Sequence, residues 1–400
     1  KHGRKASEPK MEFNVYTAII LIALITEQTL SAIADRLNLK SAGKRLPSEF
    51  HDTYAPEKYA QSQEYLQVTT WVSQVKSCTF LTVLLLFWFL GGFPFLNDVI
   101  LQSLPAAWAD STIVAGLFFV GVLAAGRAIL ALPFRIYKTF GVEQRFGFNR
   151  TTPLTFVLDL VKTTVLSILL GAPLFAGILG LFVHTGGASW LYCWAMATVF
   201  LFAIQFAAPR WILPLFNKFT PLEEGQLRTA IENYAKTIGF PLEGIYVIDG
   251  SRRSSKSNAF FTGLGKHKRI ALFDTLIENH TVQELLAVLA HEIGHFKKKH
   301  VLKNMLIGVL HTGFLFFLLS FFLENTELYA AFGFSSGATP IYAGFVFFSL
   351  LYSPVELVLS MILNAYSRRK ETEADQFAAE TCETPEALVT ALKKLSRDNL

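Results

Sequence analysis

Cysteine and charged residues are both scarce in this chain of 400 residues. Its three cysteines, Cys78, Cys193 and Cys382, are far apart and form no CxxC pair, which excludes a disulfide framework and a thiolate metal site. Charged residues make up 17%, against about 25% in soluble domains, whereas apolar residues make up 52%. This composition excludes an ordinary soluble protein and indicates an integral membrane protein.

Long apolar runs are frequent, and about seven of them are long enough to cross a bilayer core of about 30 Å. They cover residues 13–33, 77–96, 111–132, 154–184, 190–208, 301–323 and 341–363. The fourth run is longer than one crossing requires. We expect it to be tilted, broken near Gly171-Ala172-Pro173 or extended beyond the membrane.

Basic residues are distributed unevenly between the loops that join these runs. The first, third and fifth loops and the C-terminal tail are basic, whereas residues 97–110, 185–189 and 324–340 contain no Lys or Arg. The positive-inside rule then predicts an outside N-terminus and a cytoplasmic C-terminus. The net charge of +5 has the same explanation and does not indicate nucleic acid as a partner. Residues 1–10 are basic and contradict the rule, so we expect them to be foreign to a native chain that starts at Met11.

One short stretch carries metal-binding chemistry, since residues 291–295 read HEIGH. On a helix, positions i and i+4 share a face, so the imidazoles of His291 and His295 can bind one metal ion. Glu292, beside the first of them, can then act on a water held at that ion. The preceding residues Thr281–Glu284 match a capping box and predict the start of that helix. Gly294 costs a helix about 1 kcal/mol relative to Ala, which indicates close backbone approach by another segment.

A catalytic zinc site takes three protein ligands and keeps one position open for water, so a third ligand must come from another segment. Glu371 and Asp375 follow the seventh run and are four residues apart, which places both on one helix face. Glu371 would bind the metal while Asp375 accepts a hydrogen bond from a ligand imidazole. Glu373, on a different face of this helix, is the rival third ligand. His300 could be a fourth ligand, but it is nine residues beyond His291 and so falls on a different face of the HExxH helix. The alternative is a solvated helix whose basic residues meet lipid head groups.

The fifth loop is the one large block outside the predicted spans. Thr220-Pro221 predicts the start of a helix, and Gly239 predicts its end. Residues 244–248 read as a strand, and residues 257–261 with 269–273 read as a hairpin. A further short helix is predicted to start at Thr384-Pro385.

The first strand of that hairpin is the predicted substrate-binding element. Its edge could hold an extended peptide by strand addition, in contact with Asn258, Ala259 and Phe260. Asn258 could orient the peptide or donate to the oxyanion of the reaction. The alternative for Asn258 is an ordinary turn residue.

Together these motifs resemble those of the type I CAAX prenyl protease family, the family of the yeast a-factor-converting enzyme and the mammalian prelamin-A-processing protease. The similar stretches are residues 58–65, 146–149, 257–261, 269–275, 291–295 and 367–375. The resemblance implies an α-helical integral membrane protein in which about seven helices enclose a water-filled chamber. It also implies a gluzincin-like domain that contains a small β-sheet. In that domain the resemblance implies that His291, His295 and Glu371 bind one Zn²⁺ and that Glu292 is the catalytic base. The chamber would account for polar residues inside the spans, although a pair such as Asp159 and Lys162 could instead be bonded to each other.

The predicted function is a membrane-embedded zinc endopeptidase that uses a water activated by zinc and Glu292. Its predicted partners are the lipid bilayer and a peptide or protein-tail substrate, with or without a prenyl group, and no obligate protein partner. The active site is predicted on the cytoplasmic side of the membrane. We expect a bacterial chain, for which this is the inner membrane. For a eukaryotic chain it would be the endoplasmic reticulum or inner nuclear membrane.

We expect four units after residues 1–10. The first five spans would cover residues 11–208, and a protease domain would cover residues 209–300. The last two spans would cover residues 301–365, and a segment with the third ligand and a C-terminal helix would cover residues 366–400. Two alternatives for the function remain. One is a quality-control metalloprotease of the heat-shock type, with the same HExxH and ExxxD logic, and the other is a non-catalytic receptor or scaffold.

Overall fold

The structure is a computed structural model that describes residues 11–42, 46, 48–51, 55–108, 110–262, 268–334 and 339–399. Residues 1–10, expected to be foreign, and the turn of the predicted hairpin at 263–267 lie outside the described residues. Helices make up most of the described chain, and one small sheet lies between the fifth and sixth membrane-crossing segments.

The helices are numbered in chain order. They are α1 Val15–Ala42, α2 Pro56–Phe89, α3 Gly92–Ser103, α4 Thr112–Ile136, α5 Pro153–His184, α6 Ser189–Ala207, α7 Leu213–Phe216, α8 Gln226–Thr237, α9 Asp274–Asn279, α10 Val282–Lys297, α11 His300–Phe322, α12 Thr326–Ala330, α13 Ile341–Leu351, α14 Ser353–Thr381 and α15 Glu386–Asn399. Wider helical turns at Tyr137–Glu143 and Ala208–Ile212 extend α4 and join α6 to α7.

Among the described residues, six helical segments are long and apolar enough to cross a membrane, and there are seven if the bent pair α13 and α14 counts as one span. The two helices of that pair meet at 52°. This agrees with the predicted number and order of spans. The second predicted run, 77–96, does not form one helix, because α2 ends at Phe89 and Gly91 takes a left-handed conformation with φ of 73°. The fourth run is a single helix, so of the three alternatives given for its length the break near Pro173 does not occur.

The core on the membrane side is built largely from aromatic rings. Trp88 is fully buried and donates its indole N–H to the carbonyl of Ala331 at 2.8 Å. The rings of Phe332 and Phe347 stack at 3.9 Å between centroids. Burying large rings and satisfying the indole donor fixes α2 against the loop and helix that precede the last span.

The sheet has four strands, β1 Phe219–Pro221, β2 Leu242–Ile248, β3 Ala259–Thr262 and β4 Lys268–Phe273, in the order β1-β2-β4-β3. β2 and β4 are parallel, and β3 pairs antiparallel with β4, which confirms the predicted hairpin. The predicted helix start at Thr220-Pro221 is wrong, because Thr220 lies in β1 and pairs with Val247 of β2. The helix starts at Gln226 instead, and Gly239, with φ of 60°, follows its end as predicted.

The HExxH helix α10 packs on this sheet through one apolar face. Leu285, Leu289 and Ile293 are almost fully buried there and form one cluster with Ile270 and Leu272 of β4. Side chains at i, i+4 and i+8 line one face of a helix, so the opposite face carries the two histidines away from the sheet.

An ion pair joins the sheet region to the membrane helices. Arg253 donates to both carboxylate oxygens of Asp159 on α5, at 2.7 and 3.0 Å. Lys162 donates to the carbonyl of Leu215 at 2.8 Å, so the direct bond considered between Asp159 and Lys162 is replaced by separate partners for each. A bidentate arginine fixes orientation as well as distance. The pair therefore ties the protease part of the chain to a membrane helix.

Candidate metal centre

The start of α10 is fixed by the predicted capping box. The Thr281 hydroxyl accepts from the backbone N–H of Glu284 at 3.3 Å, and the Glu284 carboxylate accepts from the backbone N–H of Thr281 at 2.8 Å. The same carboxylate, almost fully buried, also accepts from Lys394 of α15 at 2.8 Å. The C-terminal helix therefore stabilises the start of the helix that carries HExxH.

The approach of α14 to α10 depends on Gly294. A Cβ atom at this position would lie 3.1 Å from both Cα and the carbonyl oxygen of Ala374, and 3.2 Å from Cβ of Phe377. The predicted close backbone approach is therefore confirmed. It brings the turn of α14 that holds Glu371 and Asp375 against the two histidines.

Three side chains converge at the contact between these helices. His291 Nε2 and His295 Nε2 are 3.2 Å apart, and they lie 3.5 and 3.4 Å from Glu371 Oε2. Among the described residues, this is the one group of three potential ligands close enough to hold a metal ion. Ligand atoms bound to a tetrahedral zinc ion at about 2.0–2.1 Å are about 3.3 Å apart, so the three atoms fit such an ion.

The outer nitrogens of both imidazoles also have partners. His291 Nδ1 lies 2.8 Å from Asp375 Oδ1, the contact predicted for this carboxylate. His295 Nδ1 lies 2.9 Å from Nδ1 of His300, whose Nε2 lies 3.1 Å from Glu373. Glu373, the rival ligand, therefore contacts His300 and lies outside the ligand group.

The role of His300 beside His295 was not predicted. The helical wheel places it on another face only if one helix continues through it. The chain instead turns at Lys299, which has φ of 58°, and a new helix begins at His300. Three successive basic residues before His300 were the available sequence signal, since they indicate the end of a helix.

Burial changes the titration of the groups around the site. It raises the pKa of the Glu292 carboxyl above its ordinary value; His291 opposes this rise and Glu371 adds to it. Burial also lowers the pKa of His295, which favours the neutral imidazole that can bind a metal. A carboxyl group with a raised pKa beside a potential metal site is suited to accept a proton and to return it.

The predicted substrate residues lie on the outer strand. Among the described strands, β3 forms one edge of the sheet, and Phe261 contacts Phe296, next to His295, at 6.2 Å between ring centroids. Asn258 is exposed, and its side-chain oxygen accepts from the N–H of Ala259 at 2.9 Å, which is the behaviour of a turn residue. Ala259 is buried and Phe260 is half-buried. The strand thus lies beside the HExxH helix, and the substrate role of these residues stays a prediction.

Comparisons with known proteins agree with this arrangement. Residues 221–399 match peptidase family M48, and residues 35–218 match the CAAX prenyl protease N-terminal region with five membrane helices. The probable CAAX prenyl protease 1 of Schizosaccharomyces pombe is 38% identical over 80% of this chain and 69% of that protein. The CAAX prenyl protease 1 homolog of Homo sapiens is 32% identical over 98% of this chain and 91% of that protein. The crystal structure of Ste24p from S. mikatae has a TM-score of 0.91 at 32% identity, covering 97% of this chain and 93% of that one.

Apolar helices that precede and follow an HExxH domain in the chain define an integral-membrane metalloprotease. This class consists of multi-pass hydrolases that use a metal cofactor. The matched regions and relatives make the assignment more specific. The chain belongs to the CAAX prenyl protease 1 family. This confirms the resemblance drawn from the sequence motifs. It favours neither the heat-shock type of metalloprotease nor a non-catalytic receptor.

Proposed function

We propose that this chain is a zinc endopeptidase that cuts the tails of prenylated proteins at the membrane, with its active site on the cytoplasmic side. The observation that supports it best is the triangle of His291 Nε2, His295 Nε2 and Glu371 Oε2, with sides of 3.2 to 3.5 Å. These separations suit a small tetrahedral ion, and the set of two imidazoles and one carboxylate is that of catalytic zinc sites.

The residues around the triangle would divide the work. When bound, zinc supplies an acidified water and polarises the scissile carbonyl. Glu292 would take the proton of the attacking water and donate it to the nitrogen of the leaving amine. Asp375 would hold the ring of His291 by accepting from its Nδ1–H, so that Nε2 faces the ion.

The substrate would bind along the open edge of β3. An extended tail could add as a further strand there, through backbone hydrogen bonds, with Asn258, Ala259 and Phe260 along its path. Phe261 of the same strand contacts the HExxH helix, so a tail on this edge would pass close to Glu292. The relatives are named for action on prenylated CAAX proteins, and the membrane-embedded helices would give a prenyl chain an apolar environment.

The cytoplasmic placement is supported by the charge of the loops. The first and third loops and the protease part, 209–300, carry most of the basic residues, and the loops between them carry none. We propose that residues 209–300 together with 366–399 form the protease unit, because α10 packs against both α14 and α15. Protease protection of a tag placed after residue 400, in sealed vesicles of known orientation, tests the sidedness.

Replacement of the proposed base tests the reaction. Glu292→Gln should retain the bound metal and lose cleavage of a reporter peptide in detergent by a factor of at least about 100. Glu278→Gln, at an exposed glutamate of α9, is the matched control and should cleave normally. Equal cleavage by the wild type and Glu292→Gln would refute the proposal. A pair of peptides with and without a lipidated cysteine then tests the substrate class, since equal rates would reject the preference for a prenylated tail.

A further inference from the structure

His300 is a buried histidine placed by an unusual backbone turn. It is 2% exposed and is the first residue of α11, immediately after Lys299 with φ of 58° and ψ of 32°. A left-handed conformation is rare for residues with a side chain, because Cβ crowds the following carbonyl. The turn ends α10 and starts α11 so that the ring of His300 lies beside that of His295, with centroids 5.1 Å apart.

Both ring nitrogens of His300 are engaged, and the hydrogen bonds fix which nitrogen carries the proton. If His295 presents Nε2 to the ion, its Nδ1 carries a hydrogen and donates to Nδ1 of His300 at 2.9 Å. His300 must then carry its hydrogen on Nε2, and that group donates to the carboxylate of Glu373 at 3.1 Å. Arg369 also donates to Glu373, at 3.1 Å. Every donor in this chain of bonds has an acceptor.

We propose that His300 is a positioning residue that fixes the ring orientation and tautomer of His295, and that Glu373 fixes His300 in turn. The inference rests on the proposed function in one respect, namely that His295 binds the metal through Nε2. The outer nitrogen of His291, Nδ1, contacts a carboxylate directly. Among the described residues, the outer nitrogen of His295 is linked to a carboxylate through His300. The ring of His291 would therefore be held by one hydrogen bond to a carboxylate, and the ring of His295 by a chain of two hydrogen bonds that ends at a carboxylate.

Two other roles for His300 fit the contacts less well. A fourth metal ligand would need a free ring nitrogen facing the triangle, and both nitrogens of His300 contact other side chains. A residue that only fills space would not require the two aligned polar contacts, nor a left-handed Lys299. His280 gives the contrast within the same domain: it is also buried, and its Nε2 has no hydrogen-bond partner among the described residues.

The test compares His300→Phe, which keeps a ring and removes both bonds, with His300→Asn, whose side-chain oxygen can replace the Nδ1 acceptor. His280→Phe is the matched control, because His280 precedes α10, whose first residue lies about 14 Å along the helix axis from His291. Zinc affinity is measured by chelator competition, the visible spectrum is recorded for the cobalt-loaded protein, and unfolding is measured on metal-free protein. The last readout detects a loss of folding that would be unrelated to the metal.

We expect His300→Phe to weaken zinc binding by about 10- to 100-fold and to shift the cobalt spectrum, as loss of an outer partner does at other metal sites. His300→Asn should recover most of the affinity, and His280→Phe should match the wild type. The proposal is overturned if His300→Phe binds zinc like the wild type, or if His300→Asn is no better than His300→Phe. Failure of the wild type itself to bind zinc would instead refute the proposed function.

Discussion

Addition of a single methyl group at Gly294 should disable the metal site with little effect on the fold. In Gly294→Ala the new carbon would lie 3.1 Å from Cα and from the carbonyl oxygen of Ala374. Both are backbone atoms, so no side-chain rotation can relieve the contact. Comfortable carbon contacts are about 3.5–4.0 Å, so α14 must move away from α10 by about 0.5 Å.

The effects on stability and on the site differ in size. Alanine improves helix propensity by about 1 kcal/mol, and overpacking costs about 1–3 kcal/mol, so the net destabilisation should be about 0–2 kcal/mol. Glu371 is one turn from Ala374 and would move with it, which widens the 3.4 and 3.5 Å separations from the histidines. Metal sites tolerate errors of about 0.2 Å in ligand distances, so metal affinity should fall by more than about tenfold.

The assay measures zinc affinity, peptide cleavage and unfolding on the same detergent preparation. Gly171→Ala is the control, since within the part of the chain that the structure describes a Cβ there meets no atom of another segment within 4 Å. It should bind metal normally and gain up to about 1 kcal/mol in stability. Wild-type zinc affinity and cleavage in Gly294→Ala would show that the close contact of α10 and α14 does not set the spacing of the ligands.

Three further substitutions test contacts around the site. Asp375→Ala should lower zinc affinity by about 10- to 100-fold, measured by chelator competition, because a ligand imidazole loses its outer acceptor. Lys394→Met leaves the buried Glu284 carboxylate short of a partner and should cost about 1–3 kcal/mol in unfolding experiments at neutral pH. Burial alone would raise the pKa of Glu284, but Lys394 and the capping N–H of Thr281 outweigh burial and lower this pKa. The stabilisation by Lys394 therefore depends on the ionised carboxylate. The destabilisation caused by Lys394→Met should decrease as the pH falls below about 4.3 and the carboxylate is protonated. Asp159→Asn removes the carboxylate bound by Arg253 and should cost about 1–3 kcal/mol in the same unfolding measurement.

Each of these substitutions has a control of the same chemical type. Glu380→Ala removes an exposed carboxylate of α14 and should leave zinc affinity unchanged. Lys236→Met removes an exposed lysine of α8, and Glu64→Gln breaks the exposed pair with Arg145, so both should change stability by less than about 1 kcal/mol. Normal zinc affinity in Asp375→Ala would contradict the first prediction. The second would be contradicted if the destabilisation caused by Lys394→Met were constant from pH 6 to below 4. The third would be contradicted if Asp159→Asn and Glu64→Gln changed the stability equally.

Local patterns predicted what local interactions determine. The capping box at Thr281, the hairpin strands and the apolar segments depend on near neighbours in the chain. The structure contains them, except that the second run is divided near Gly91 and that the seventh is the bent pair α13 and α14. The position of Gly294 also indicated a close approach correctly, because few other causes favour glycine inside a helix.

Long-range contacts were the part that the sequence could not provide. Thr220-Pro221 resembles a helix start, but backbone pairing with β2 outweighs that preference. Asp159 is bonded to Arg253, which lies 94 positions away, and no spacing rule predicts such a partner. The position of His300 depends on one left-handed residue, and a helical wheel drawn through that residue gives the wrong face.

The length of α14 ties the chemistry to the bilayer. The helix runs without interruption from the 52° bend at Tyr352 to the turn that holds Glu371, a lever of about 27 Å. A swing of only about 2° at the bend would carry the carboxylate about 1 Å, farther than a hydrolytic site can tolerate. Hydrolysis should therefore respond to membrane thickness, and lipids of graded chain length could tune this enzyme without touching any group that reacts.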